Sequence, residues 1–238
     1  MMRKISLTSL KEKGLDSDLL ICGIDEAGRG PVLGPMVICG VCFDKAKLSY
    51  LTKIGVKDSK KLTLETREEL SRKIKKNCHS FKTIIVSPKE IDEREKNYLS
   101  LNRLEELKMA ELLNELKPSI IYLDAADVKE DRFGKSIGKL LNYPYQNIIS
   151  KHKADDLYPI VSAASIIAKD KRDSIIKKIK QDFGEIGSGY PSDEKTITFL
   201  REYLRANKKV PEFVRKSWKT AKRIIDEEMG TRKITEFF

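Results

Sequence analysis

The feature that most constrains this chain is the stretch Gly23-Ile24-Asp25-Glu26-Ala27-Gly28-Arg29-Gly30-Pro31. It continues an apolar run, Leu19-Leu20-Ile21-Cys22, whose length and glycine boundary predict a buried strand. A strand ending in Asp25-Glu26 carries two charges to its tip, and a charge buried without a partner is expensive. Hard cations such as Mg2+ or Mn2+ are the usual partners of clustered carboxylates. The glycines let a backbone approach something closely, and Arg29 brings a planar fork that suits phosphate. Carboxylates for a metal beside a turn for a phosphate point to phosphodiester chemistry. On residue types alone, a strand followed by a solvated polar turn is the plain alternative.

At 238 residues the chain can bury a sizeable core in one or two domains. Its formal charge of +11 favours a polyanionic partner, although a lysine-rich surface alone gives the same sum. Between Arg201 and Arg223 nine Lys or Arg residues stand against Glu202 and Glu212. Such a cluster can track a phosphate backbone. Tyr203, Phe213 and Trp218, interleaved with it, read better as core positions of amphipathic helices than as stacking platforms for bases. The cysteines point to a reducing compartment. Cys39 and Cys42 have half-site spacing, but on a strand a three-residue offset puts the thiols on opposite faces, so they read as small core residues. His79 and His152 are too few for a rich metal site. The uncharged stretch before Phe43 is short and broken by Pro31 and Pro35, so the chain reads as cytoplasmic rather than membrane-bound.

Strands are expected at 19–25, 35–43, 82–87, 120–123 and 147–150. Ser87-Pro88-Lys89-Glu90 is a capping box with proline at the first helical position. Leu101, Leu104, Leu107, Met109, Leu112, Leu113 and Leu116 repeat at helical spacing up to Pro118. A long helix is expected from about Ile160 to Lys180, with helices following at about 193–206 and 211–228. Early strands, then alternation of strand and helix, predict an α/β protein built on a mixed sheet with a helical C-terminal part.

The nine-residue string resembles the signature of the type 2 ribonucleases H (ribonuclease HII) in the archaeal style. Val56-Lys57-Asp58-Ser59-Lys60 resembles the family's second motif, and Ile121-Tyr122-Leu123-Asp124-Ala125 its third. His152-Lys153-Ala154-Asp155, Tyr158-Pro159 and Val161 through Lys169 resemble its longest block, and Gly187 through Asp193 the block after that. The resemblance covers roughly residues 18 to 225 in family order. It implies a ribonuclease H-like mixed sheet flanked by helices, with a small helical C-terminal subdomain. The domain layout expected is a polar basic extension at 1–17, a catalytic domain at 18–185, the helical subdomain at 186–229 and a tail at 230–238.

The resemblance also implies the chemistry. Asp25, Glu26, Asp124 and Asp155 would be catalytic and hold two divalent ions, Mg2+ or Mn2+. Gly28, Arg29 and Gly30 would sense a ribose 2′-hydroxyl through backbone groups, and the Tyr190 ring would pack on the following deoxyribose. Lys57, Ser59, Lys60, Lys153 and Lys169 would contact phosphates. The substrates implied are RNA–DNA hybrids and duplex DNA with embedded ribonucleotides, cut to 3′-hydroxyl and 5′-phosphate ends. Asp127, Asp156 and Asp173 lie outside the motifs, and Asp58 reads as structural.

Beyond Gly230, a helix stop, the tail presents Ile234, Phe237 and Phe238. Their spacing resembles the peptide that docks on the replication sliding clamp (PCNA), with Thr231 where a glutamine usually stands. A tail folded onto its own domain is the alternative. A monomer is expected. Two other functions stay open: a non-catalytic hybrid-binding module, and a general DNA nuclease on a similar fold.

Overall fold

The computed structural model of the protein describes residues 19–56 and 62–230. The extension at 1–17, Lys57, Ser59 and Lys60, and the tail anchors Ile234, Phe237 and Phe238 lie outside the described residues. The chain order is β1 (Leu20–Ala27), β2 (Met36–Asp44), α1 (Ser49–Lys53), α2 (Leu64–Asn77), β3 (Ser80–Val86), α3 (Pro88–Lys96) and α4 (Leu101–Leu116). It continues with β4 (Ile120–Asp124), α5 (Glu130–Gly138), β5 (Asn147–Lys151), α6 (Ala154–Leu157), α7 (Pro159–Phe183), α8 (Glu194–Asn207) and α9 (Lys219–Met229). Two compact units emerge. Among the described residues, the first takes those up to Ala27, those of Val37–Ile84 and Asn102–Lys171; the second takes Gly28–Met36, Ile85–Leu101 and those from Arg172 on.

The first unit is built on the expected mixed sheet. The strand order is β3-β2-β1-β4-β5, with β1 antiparallel to β2 and parallel to β4, and β4 parallel to β5. Two glycines let helices approach it. A methyl group on Gly40 would lie 2.2 Å from Leu112 of α4, and one on Gly23 would lie 2.2 Å from the Ile160 carbonyl of α7. Gly40 pairs with Ile24, so Gly23, one residue earlier, faces the opposite side. Helices α4 and α7 therefore cover opposite faces. Cys22, Cys39 and Cys42 are buried free thiols in this core, as small apolar residues would be.

Several elements follow local sequence rules. The α3 capping box forms as expected: the Ser87 hydroxyl accepts from the Glu90 N–H, and Glu90 accepts from the Ser87 N–H. Helix α2, not read from the sequence, starts at Thr63, whose hydroxyl accepts from the Thr66 N–H.

The second unit packs Val32, Leu33, Ile176, Ile186, Leu200, Leu204, Val214, Ala221 and Ile224 into its own core. Phe199, Phe213 and Trp218 pack against it, and the rings of Phe183 and Tyr203 extend the cluster outward, with Phe183 exposed. One boundary differs from expectation. The last helix starts at Lys219 rather than near 211. Residues before it are held in other ways: Val214 bridges to Leu33, and the Asp92 carboxylate accepts from the Lys216 and Ser217 N–H groups. Among the described residues no helix is long and apolar enough to cross a membrane.

Candidate active site

Strand register places the first carboxylates. Ile24 pairs with Leu123, so Asp25 and Asp124 are the next step on adjacent parallel strands, which run ~4.8 Å apart. Asp25 lies two residues after Gly23 and Asp124 two after Tyr122, and Gly23 pairs with Tyr122. Both carboxylates therefore project to the α7 face. Tyr122 marks that face by packing against Tyr158, with ring centroids 4.7 Å apart. Glu26 leaves from the other side of β1, at its end.

Asp155 reaches the same region by a different route. The Ala154 N–H donates to the Asp124 carboxylate at 2.9 Å, which docks the start of α6 on the end of β4. Asp155 is the next residue and is buried. Lys153 turns the chain there in a left-handed conformation, with φ of 54°. The loops after β4 and β5 are braced together. The Ala125 N–H donates to the Lys151 carbonyl at 2.9 Å, and the His152 ring lies 3.2 Å from the Ala125 carbonyl. Glu130 accepts from the His152 N–H and from Lys151. Asp127 forms a two-pronged pair with Arg132, so its charge is used in the loop itself.

The electrostatics of this centre are unfavourable for bare carboxylates. Burial pushes the Asp25 carboxyl well above its ordinary range, and the charges of Glu26 and then Asp124 push it the same way. The Ser165 hydroxyl of α7 and the Glu26 N–H oppose the shift; the latter donates to Asp25 at 2.8 Å. Among the described residues no three His, Cys, Asp or Glu side chains stand close enough to enclose an ion as they are placed. The donor set nonetheless fits a hard divalent cation: it is all oxygen, and Asp25 is buried among like charges that a cation would relieve. Register thus brings Asp25 and Asp124 together and the Ala154 bond brings Asp155 to Asp124, while Glu26 starts from the opposite face. Lys169 lies on α7, half-buried.

The glycine turn belongs to the second unit and forms its own construction. Gly28 has φ of +80°, and a methyl group on it would lie 2.2 Å from the Arg172 side chain. Glycine is thus required here by backbone angle and by internal packing. Arg29 is half-buried and Gly30 exposed. Tyr190 is 44% exposed rather than a core tyrosine, and its ring would lie 3.5 Å from a methyl group on Gly30. The Gly189 carbonyl fixes this neighbourhood by accepting from the Val32 N–H at 2.7 Å. The loop itself is tied by Asp193, which accepts from the Ser188 N–H at 2.5 Å and caps α8. These bonds hold the Asp193 carboxyl down at about 2.

Sequence reasoning missed Arg215. It is fully buried, yet its guanidinium donates to the carbonyls of Gly28, Arg29 and Gly34 at 2.5, 2.8 and 2.9 Å. Burial pulls its pKa down to about 9, so it stays charged at neutral pH. A buried arginine carries no sequence signal of its own, because arginine is rarely inside.

A five-stranded mixed sheet covered by helices on both faces, with two carboxylates in register at the ends of its central parallel strands, defines the ribonuclease H class of fold. The comparisons with known proteins give the family. The sequence profile described as Ribonuclease HII matches residues 22–221. A Ribonuclease HII from Methanocella arvoryzae is 47% identical over 89% of this chain and 94% of its own. The crystal structure of the ribonuclease H2 from Pyrococcus horikoshii OT3 superposes with a TM-score of 0.85 at 46% identity, covering 90% of this chain and all of that one. The RNase HII in the PCNA:RNase HII complex from Archaeoglobus fulgidus superposes with a TM-score of 0.78 at 41% identity, covering 86% of this chain and 96% of that one. The chain belongs to the ribonuclease HII family. It is a ribonuclease H, a hydrolase that cuts RNA in RNA–DNA hybrids, and the family depends on divalent metal.

Proposed function

We propose that this ribonuclease H also incises duplex DNA on the 5′ side of single embedded ribonucleotides, leaving 3′-hydroxyl and 5′-phosphate ends. Asp25, Glu26, Asp124 and Asp155 would hold two divalent ions, Mg2+ or Mn2+. Such ions, when bound, activate a water and stabilise the leaving oxygen. The chain's part is to hold those oxygens in place and to tolerate their charge. The observation that carries the reading is the Asp25–Asp124 register on one face, with Asp25 ionisation opposed by burial and by its neighbours.

Gly28, Arg29 and Gly30 are assigned to the ribose 2′-hydroxyl, a group that both donates and accepts. Tyr190 is assigned to the adjoining deoxyribose; its exposure and nearness to Gly30 support that role. Lys57, Ser59, Lys60, Lys153 and Lys169 are assigned to phosphates. A hollow of about 830 Å³ in which Lys129, Arg132, Lys135, Lys139 and Lys151 outnumber Glu130 and Asp131 is assigned to the duplex backbone as well.

The tail residues Ile234, Phe237 and Phe238 are assigned to a replication sliding clamp. The similarity to the Archaeoglobus fulgidus protein solved with PCNA supports this. A monomer working in the cytoplasm completes the reading. The test is cleavage of a hybrid, a duplex with one ribonucleotide and an all-DNA duplex, each with Mg2+ and with chelator. Metal-dependent cutting of the first two alone is expected. Cutting of the all-DNA duplex would make it a general nuclease.

A further inference from the structure

Two glycines in one turn make a backbone that is loose by default, because glycine loses the most conformational freedom on ordering. A sensor for a single hydroxyl needs the opposite, since hydrogen-bond recognition depends on preset geometry. In this chain the carbonyls of Gly28, Arg29 and Gly34 are all bound by the Arg215 guanidinium. The Gly30 carbonyl accepts from the Trp218 indole N–H at 3.1 Å. The Arg215 guanidinium lies over the Trp218 ring, 4.9 Å from its centroid, so the two donors support each other. The Arg215 backbone N–H donates to the Val32 carbonyl at 2.9 Å, which ties the clamp to the same turn a second time.

The pair is itself held from α3. Asp92 accepts from the N–H groups of Lys216 and Ser217, both at 2.9 Å. Arg94 donates to the Ser217 hydroxyl at 2.9 Å and places its guanidinium 5.1 Å from the Trp218 centroid. Such effort spent on carbonyls alone is economical only if the other side of the turn must be kept in one conformation.

We propose that Arg215 and Trp218 are positioning residues for substrate choice: they fix the carbonyls of the 28–34 turn and so set its affinity for a ribonucleotide over a deoxynucleotide. This rests on the proposed reading of the turn as the 2′-hydroxyl sensor. Arg215 acts through the turn and touches no substrate. Lysine cannot replace it, because the three carbonyls accept from three different guanidinium nitrogens and an ammonium offers only one.

The test is binding by the full chain in an Asp124→Asn background, which is expected to bind without cutting. Dissociation constants are compared for two duplexes that differ only in one ribonucleotide or deoxynucleotide. The parent should prefer the ribonucleotide by roughly tenfold or more, as expected where a site hydrogen-bonds a hydroxyl. Arg215→Lys should bring the preference close to one, and Trp218→Phe should lower it severalfold, with affinity for the deoxynucleotide duplex little changed. A merely structural role would reduce the active fraction and leave the ratio alone. An unchanged ratio in both variants overturns the proposal. Should Arg215→Lys not fold, Trp218→Phe, which keeps an aromatic ring and removes the N–H donor to Gly30, decides alone. A parent without any preference overturns the reading of the turn as a sensor, and this inference falls with it.

Discussion

The Asp124 carboxylate accepts a hydrogen bond from the Ala154 N–H at 2.9 Å, so the end of β4 and the residue before Asp155 are one construction. Asparagine keeps the acceptor and loses the charge, whereas alanine loses both. Asp124→Asn should therefore fold normally and lose nearly all cleavage. Asp124→Ala should lose cleavage and about 1 kcal/mol more stability, as for an ordinary intramolecular hydrogen bond. Denaturant melts beside a hybrid-cleavage assay check both. An Asn variant cutting within a few fold of wild type would remove Asp124 from the catalytic set.

Asp25 gives a pH dependence whose sign is fixed by its environment. Its folded carboxyl titrates well above the ordinary value of 3.8. Between those two values the folded chain keeps a proton that the unfolded chain has released, so stability falls as pH rises through that window and stays lowered above it. Asp25→Asn removes this penalty. In chelator the variant should melt close to wild type near pH 4 and above it at pH 8. Mg2+ should raise the wild-type melting temperature more than the variant's. A gap of the same size at both pH values would contradict the burial argument.

Asp193 should behave in the opposite sense. Its carboxyl is held at about 2, chiefly by the Ser188 N–H and hydroxyl. The stability it contributes is present above the ordinary value of 3.8 and is lost as pH falls toward 2. Asp193→Asn should be less stable than wild type at neutral pH, and acid titration of the two melts should converge near pH 2. Curves that stay parallel would show that the Gly187–Asp193 loop does not depend on this charge.

Much of this architecture was readable beforehand, and the reasons differ by element. The capping box at Ser87 and the leucine stripe of α4 are local rules, and both formed. Asp25 and Asp124 ended apolar runs, which placed them at strand tips without any knowledge of register. What stayed hidden depends on long-range pairing. The register that sets Asp25 beside Asp124, the Ala154 bond to Asp124 and the Arg215 bonds to Gly28 join residues far apart in sequence. Residues 211–218 have the composition of a helix start, but their backbone groups are taken by Leu33, Val32 and Asp92 before a helix can form.

Tyr190 offers a test of substrate reading that leaves the acidic centre alone. An aromatic contact to nucleic acid is worth ~1–3 kcal/mol. Tyr190→Ala should therefore slow incision at a lone ribonucleotide by roughly tenfold or more. Single-turnover rates on that duplex, with a long hybrid as the reference, measure it. Equal rates for variant and wild type on the lone-ribonucleotide duplex would take Tyr190 out of the site.

The carboxylates at the strand ends are proposed to direct water to the phosphodiester on the 5′ side of a ribonucleotide. The most direct measurement is end-group analysis of the products from a duplex carrying one ribonucleotide, cut in Mg2+. The expected products are a 3′-hydroxyl on the upstream deoxynucleotide and a 5′-phosphate on the ribonucleotide itself. A 2′,3′-cyclic phosphate facing a 5′-hydroxyl would mean that the 2′-hydroxyl is the nucleophile, and a cut by water on the 3′ side of the ribonucleotide would mean that another phosphodiester is attacked; either result contradicts the proposal.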